Sequence, residues 1–248
     1  MSVQPTALRA KELERAKRDL EDIIFMASHD LKGPLRTIQG FCTIFEDEYA
    51  DKIDEKGRKY LDIVRKAAER MNALIEDLLN LSRIGRKFEV KTVDLNELID
   101  EIKSDLWARF RERGGEGEVV AEELPTISTQ RVWMKGLFMN LIDNGLKFNR
   151  SEKPRVEVSY EEREREKRKG EGKEKEYLFK IKDNGIGIEE EYLSRIFNLS
   201  ERLHPQEYEG TGFGLNICQK IVDKLGGNIR VSSKPAEGST FFFTIPEK

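Results

Sequence analysis

Phe25-Met26-Ala27-Ser28-His29-Asp30-Leu31-Lys32-Gly33-Pro34-Leu35 lies in a segment that reads as one long helix, and the apolar positions around it fix where the histidine points. Leu20, Ile24, Ala27, Leu31 and Ile38 recur at three- and four-residue steps, which is one stripe of a 3.6-residue period. His29 follows Leu20 by nine residues, or about 180° around the helix at about 100° per residue. Phe25, Lys32 and Arg36 fall on the same outward face. A core histidine belongs on the stripe, so this one is expected at the surface. Surface histidines are common, but here an acid follows at once and a proline stands five residues on.

Outward from that stretch, the helical stripe runs from about Leu13 to Glu48, behind polar residues 1–12 that read as frayed. A second helical pattern spans about Glu55 to Ile84, with Tyr60, Val64, Ala67, Met71, Leu74, Leu78 and Leu81 again at three- and four-residue steps. Joined by a short polar turn (Ala50–Asp54), the two form a hairpin with one apolar side. A lone hairpin cannot bury that side, so a homodimer that builds a four-helix bundle is the economical solution. Pro34 is expected to kink the first helix, because it lacks a donor and crowds the carbonyl four residues earlier.

Gly85-Arg86-Lys87 reads as a linker, which sets domains of 1–87 and 88–248. Asp94-Leu95-Asn96-Glu97 looks like a capping box opening a third helix to about Arg113, ended by Gly114, Gly115 and Gly117. Glu118–Glu122 reads as a strand. A helix from Ser128 to Phe148 places Asn140, Asn144 and Lys147 within about 60° of one another. Two amides and an ammonium on one stripe, beside Val132, Leu137, Leu141 and Phe148, suit a helix that lines a polar pocket. A carboxamide oxygen is a hard ligand for magnesium, and a lysine is a point charge for phosphates.

Arg155–Tyr160 and Glu176–Lys182 alternate as paired strands, and the charged stretch between them reads as a solvated hairpin loop. Asp183-Asn184-Gly185-Ile186-Gly187 ends the second strand; its glycines let a ligand approach the backbone, and its acid can accept a bond from an exocyclic amine. Glu189–Phe197 reads as a short helix. Gly210-Thr211-Gly212-Phe213-Gly214-Leu215 is a glycine-rich turn that opens a helix to about Leu225, and free amides at a helix start bind phosphate. Asn228–Ser233 and Ser239–Ile245 close the chain as a hairpin. The fold class is therefore α+β, a helical hairpin followed by a two-layer α/β sandwich.

Bulk properties exclude several classes. Lys+Arg 44 against Asp+Glu 47 gives a net charge of −3 over 248 residues, which makes no case for nucleic acid. Cys42 and Cys218 lack any zinc or disulfide spacing, so a reducing, cytoplasmic setting is expected. No apolar run approaches the roughly 20 residues of a membrane span, and no signal peptide is evident. Residues 1–20 read as the stub of a signalling helix from a longer protein.

In order, HDLKGPL, NLIDNGLKF, DNGIGI and GTGFGL resemble the motifs of the sensor histidine kinase core. The downstream part is similar to the wider ATPase superfamily of gyrase, heat-shock chaperones and mismatch-repair proteins. HDLKGPL together with IF…ERLH…EGTGFGL is similar to the phytochrome-like branch. The resemblance implies an ATP-dependent protein-histidine kinase, with His29 the nucleophile for the γ-phosphoryl group and Asp30 the carboxylate that takes or orients the imidazole proton. It implies that Asn144 binds magnesium, that Asn140 and Lys147 bind phosphate or support the metal, and that Asp183 receives the adenine amino group beside Gly185 and Gly187. It also implies that Gly210, Thr211, Gly212, Gly214 and Leu215 form a lid over the triphosphate. The implied partners are a second copy of the chain, a response-regulator receiver domain and an upstream sensor domain.

Three positions depart from the family pattern. Gly145 stands where alanine is usual, a change expected only to loosen the helix. Ser200 replaces a second lid phenylalanine after Phe197, and Gly33 occupies the position where relatives hold a water for dephosphorylating the partner. Two further readings are a non-catalytic dimeric adaptor that docks a regulator, which Ser200 alone favours, and a conformational ATPase, which leaves the hairpin and its outward histidine without a purpose.

Overall fold

The computed structural model describes all residues except 1–3, 85–88, 113–116, 167–171, 204–207, 209 and 248. The linker at Gly85-Arg86-Lys87, the glycines at 114 and 115, and His204 therefore lie outside the described residues. The chain forms two compact units, Met1–Gly85 with Glu209–Thr211, and Arg86–Tyr208 with Gly212–Lys248.

The first unit is the hairpin of α1 (Gln4–Glu48) and α2 (Glu55–Arg83), joined through a 3-10 turn at Ala50–Lys52. The Asp54 carboxylate caps α2 by accepting from the Gly57 N–H at 2.7 Å, which satisfies one of the free donors of the first turn. Leu35, Ala68, Ile75 and Leu79 form the buried seam between the helices, and Ser28 and Cys42 are buried on the same line of α1. Helical structure begins at Gln4, so residues 4–12 are not frayed in backbone terms. Pro34 lies inside α1 and does not end it; one missing donor in a 45-residue helix is outweighed by the turns on either side.

The apolar stripe read from the sequence divides. Ile24 is half-buried against the hairpin, while Leu20, Leu31 and Ile38 are exposed by 57%, 48% and 42%. The intramolecular seam runs instead along Ser28, Leu35 and Cys42 of α1, seven residues apart. Lys32 also differs from expectation: it is half-buried, with its ammonium donating to Glu76 of α2, so it does not share the open face of His29.

The second unit opens with β1 (Lys91–Asp94), α3 (Leu95–Glu112), β2 (Glu118–Ala121), β3 (Thr126–Thr129) and α4 (Arg131–Lys147). It continues with β4 (Arg155–Glu166), β5 (Lys173–Asp183), α5 (Gly214–Leu225), β6 (Ile229–Lys234) and β7 (Gly238–Pro246). β1 and β3 pair as a small antiparallel ribbon, and the main sheet runs β2-β4-β5-β7-β6, with β2 parallel to β4 and the rest antiparallel. Alternation on β5 turns Phe179, Ile181 and Asp183 to one face and Glu176, Leu178 and Lys180 to the other. On the first face Phe138 of α4 packs edge-on against Phe179 and Phe243, with centroids 5.6 and 5.5 Å apart. Each of these rings is fully buried, worth about 2–3 kcal/mol apiece. α3 is tied to α4 by Lys135, which bridges Glu101 and Asp105 at 2.6 and 2.8 Å.

Several boundaries move. Thr126–Thr129 is a strand, so α4 begins at Arg131 and not at Ser128. The charged stretch read as a loop is mostly sheet, because Arg163–Glu176, Arg165–Glu174 and Lys173–Glu164 pair across β4 and β5. Glu189–Phe197 is a single 3-10 turn at Glu190–Tyr192 followed by turns. Among the described residues no helix is long and apolar enough to cross a membrane.

Candidate active site

Each unit carries one part of the chemistry. On α1 the His29 side chain is 80% exposed, and its Nδ1 lies 3.2 Å from Asp30 Oδ1. An ionised carboxylate can only accept, so in the neutral ring Nδ1 carries the proton and Nε2 keeps the lone pair. Phe25 is exposed on the same helix. Nothing lies within 4 Å of the position a Gly33 side chain would take.

In the second unit Asp183 ends β5, buried to 7% exposure. Its Oδ1 accepts both the Gly185 N–H at 2.8 Å and the Ser239 N–H at 3.1 Å. Oδ2 makes no hydrogen bond among the described residues and stays available to a ligand donor. Burial pushes the carboxyl above its ordinary value, and the two backbone donors offset part of that rise.

The strand end is held by tight backbone approaches. Ile186 N–H donates to the Phe148 carbonyl at 2.9 Å, and a Cβ on Gly185 would stand 2.3 Å from that oxygen. Gly187 sits at φ +71° against the Lys234 carbonyl, a conformation and a contact that only glycine accommodates. Asn184, not singled out in the sequence, is the brace beneath: its side chain accepts from Arg155 N–H and Asn149 and donates to the Lys153 carbonyl. Its place in an Asp-Asn-Gly turn was the available signal.

On α4, Asn144 is half-buried and its carboxamide has no hydrogen-bond partner among the described residues. Asn140 differs from expectation. Its Nδ2 donates back to the Gly136 carbonyl at 2.9 Å, and its Oδ1 would meet a Cβ on Gly214 at 2.8 Å. Asn140 thus abuts the start of α5. Lys147 reaches over the Phe148 ring at 5.1 Å, and that ring leans on Tyr208 at 4.9 Å.

Gly145 has a sharper role than a loosened helix. A Cβ there would stand 2.8 Å from Val156 Cγ2 and 3.0 Å from Asp183 Cβ, so the glycine allows α4 to close onto the strand bearing Asp183. Asn216, in the first turn of α5, donates to the Phe197 carbonyl at 2.9 Å, while its buried Oδ1 has no partner among the described residues.

Of the glycine-rich turn, Gly212, Gly214 and Leu215 belong to the sheet unit. Gly210 and Thr211 group with the helical unit, where the Thr211 hydroxyl donates to Asp77 of α2. The structure therefore places Asn140, Asn144, Lys147, Asp183, Gly185, Gly187, Gly212, Gly214 and Leu215 in one unit, while Gly210 and Thr211 group with the other. Ser200 adopts φ 63°, a left-handed conformation unusual for a residue with a side chain.

The residues present suit a magnesium nucleotide. Oδ2 of Asp183 is a buried unpaired acceptor, and the Asn144 carboxamide is an unpaired hard donor. Among the described residues no cluster of three His, Cys, Asp or Glu side chains forms a metal cage.

Comparison with known proteins agrees with both parts. The family model described as the His Kinase A (phospho-acceptor) domain matches residues 13–87. That described as the histidine kinase-, DNA gyrase B-, and HSP90-like ATPase matches residues 129–248. Phytochrome-like protein Cph1 of Synechocystis is 34% identical over 239 residues, covering 96% of this chain and 30% of that protein. The chain thus spans about 30% of the length of this curated relative. The solved full-length ShkA, in complex with AMPPNP, shares the fold with a TM-score of 0.64 at 22% identity, over 91% of this chain and 46% of that one. Histidine kinase ThkA, solved in complex with the response regulator protein TrrA, gives a TM-score of 0.60 at 23% identity, over 98% and 67%. With a phosphoacceptor domain followed by an ATPase domain of this type, the chain belongs to the histidine kinase family.

Proposed function

We propose that this chain autophosphorylates His29 from magnesium-ATP and passes the phosphoryl group to an aspartate of a response regulator. The observation that carries the reading is the His29–Asp30 pair, an exposed imidazole whose Nδ1 is held by a carboxylate 3.2 Å away. Nε2 attacks the γ-phosphorus, the bond to the β,γ-bridging oxygen breaks, and ADP leaves with that electron pair. The ring becomes positively charged, and Asp30 stabilises or accepts the Nδ1 proton. The regulator's carboxylate then attacks the same phosphorus and restores the neutral histidine.

Asp183 Oδ2 accepts from the adenine amino group, while Gly185 and Gly187 keep that edge clear. Asn144 holds magnesium, with Asn140 and Lys147 supporting the phosphates; when bound, the ion neutralises charge on the leaving group. Gly210, Thr211, Gly212, Gly214 and Leu215 act as the lid. A homodimer covers the exposed apolar residues of α1, within domains of 1–87 and 88–248. A sensor domain precedes the chain, and the setting is cytoplasmic, in keeping with two unpaired buried cysteines.

The test is label transfer from γ-labelled ATP. Wild-type label should be lost in acid and stable in alkali, whereas His29→Gln should fall by at least about 100-fold in label with ATP affinity unchanged. Retained label in His29→Gln would overturn the assignment.

A further inference from the structure

The face of the main sheet turned away from α4 holds a half-open cleft of about 210 Å³. By register it lies across four strands: Arg163 and Arg165 on β4, Glu176 and Leu178 on β5, Phe242 and Thr244 on β7, and Arg230 on β6, closed at one end by Gly227 and Asn228. Asp183 shares β5 with Glu176 but faces the helices, seven residues further along, or roughly 23 Å at the rise of a strand. The nucleotide residues do not reach this cleft.

Its charges do not balance. Arg165 is committed, with Nε on Glu174 at 2.7 Å and Nη1 on the Gly226 carbonyl at 3.0 Å. Among the described residues Arg163 hydrogen-bonds only through Nε, to the buried Glu176 at 2.8 Å, which leaves its outer fork open. Arg230 has no carboxylate partner among the described residues; its guanidinium lies 4.3 Å from the centre of the Phe242 ring. Glu174 and Glu176 thus answer two of three guanidinium groups. The side-chain amide of Asn228 also has no hydrogen-bond partner among the described residues and lines the same opening. Stacking on Phe242 holds Arg230 in place at small entropic cost, with its in-plane N–H donors unpaired.

An ordinary surface arginine is solvated and unshaped. This cleft has a buried carboxylate that fixes one guanidinium, an aromatic ring that fixes another, and an apolar floor of Leu178 and Phe242. Guanidinium forks match the paired oxygens of phosphates and carboxylates. The volume is below that of a pocket for a drug-sized molecule, so it suits one charged group with little attached to it. We propose that this cleft is a second anion site, which takes a small oxyanion, phosphate or carboxylate, independently of the nucleotide.

The test uses the whole chain, labelled with nitrogen-15, titrated with inorganic phosphate and separately with malonate at ionic strength held constant by sodium chloride. The expected result is saturable shifts of the Gly227 and Asn228 amide signals. In Arg230→Gln the midpoint should rise at least tenfold, and in Asn228→Ala severalfold. Both positions are exposed, so the fold should be kept; Arg163 is left alone because Glu176 depends on it. Saturation by phosphate only, by malonate only or by both supports the site and names its anion. Shifts that stay linear with both anions, or an unchanged midpoint in Arg230→Gln, overturn it.

Discussion

In the sheet unit Phe138, Phe179 and Phe243 are fully buried, whereas in the helical unit Phe25, Phe41 and Phe45 are exposed by 49%, 58% and 44%. The residue type is the same and the architecture differs. A sheet backed by helices closes around side chains from its own chain. A two-helix hairpin has a seam to close, and everything off the seam waits for another surface. One unit buries these aromatic side chains by itself; the other leaves its own exposed. The proposed second copy of the chain is the simplest cover for the exposed ones.

The sharpest way to break this contrast is a charge on the open face of the hairpin. Ile38 is 42% exposed in the single chain, so Ile38→Asp should leave the hairpin helical and act on association alone. The dimer dissociation constant should rise by at least about 100-fold, equivalent to about 3 kcal/mol. Sedimentation equilibrium reads it directly. An unchanged constant would place the association surface elsewhere.

The sheet unit should respond in the opposite sense to a change in its core. Burial raises the Asp183 carboxyl, so the folded chain holds that proton more tightly than the unfolded chain does. Stability then falls as pH climbs from the ordinary value of 3.8 through the raised folded one, and the whole loss is present above it. Asp183→Asn carries no such charge. It should weaken ATP at least about tenfold, because an amide can turn a donor towards the adenine amino group. It should also melt higher than wild type at pH 7, with the gap closing in acid. Calorimetry across that range and ATP titration check both halves; a variant that melts lower at pH 7 would show that the carboxylate stabilises the fold.

Gly145→Ala sharpens the same point on a smaller scale. Alanine gains about 1 kcal/mol of helix propensity, while the close contacts with Val156 and Asp183 lose about 1–3 kcal/mol. A net loss of about 1 kcal/mol and a several-fold weaker ATP affinity are expected by denaturant titration and binding. A stabilised variant would mean that α4 moves off the strand freely. The smallest effect belongs to Ser200→Gly, which relieves the left-handed backbone by at most about 1 kcal/mol and should raise the melting temperature by a few degrees or less.

Much of this was legible in the sequence, though unevenly. The helices were visible because long amphipathic segments repeat their period many times. His29 was correctly expected at the surface, and the strand end at Asp183 carries its acid where the turn chemistry put it. Periodicity could not tell a seam from an open face: Leu20, Leu31 and Ile38 looked like core, yet Ser28, Leu35 and Cys42 hold the hairpin together. A helix bound for a bundle is apolar on more than one side, and hydrophobicity alone does not rank the sides. β1 and β3 were missed because Asp94 was read into the capping box of α3 and Ser128 into the start of α4, although the equally short β2 was seen. Lys32 and Asn140 were placed on their helices but not in their contacts, since their partners, Glu76 and the start of α5, are remote in sequence.

The paired charges on β4 and β5 have a further consequence. Arg163, Glu164, Arg165 and Glu166 face Glu176, Lys175, Glu174 and Lys173. A slip of one residue in one direction sets Arg163 against Lys175 and Glu164 against Glu174. In the other direction it sets Glu164 against Glu176 and Arg165 against Lys175. The alternating signs therefore work as an error-detecting code against one-residue slips of the ribbon: the native alignment sets opposite charges together, and a slip by one confronts like with like. Salt dims the contrast between readings, so alignment of this hairpin is most faithful when ionic strength is low.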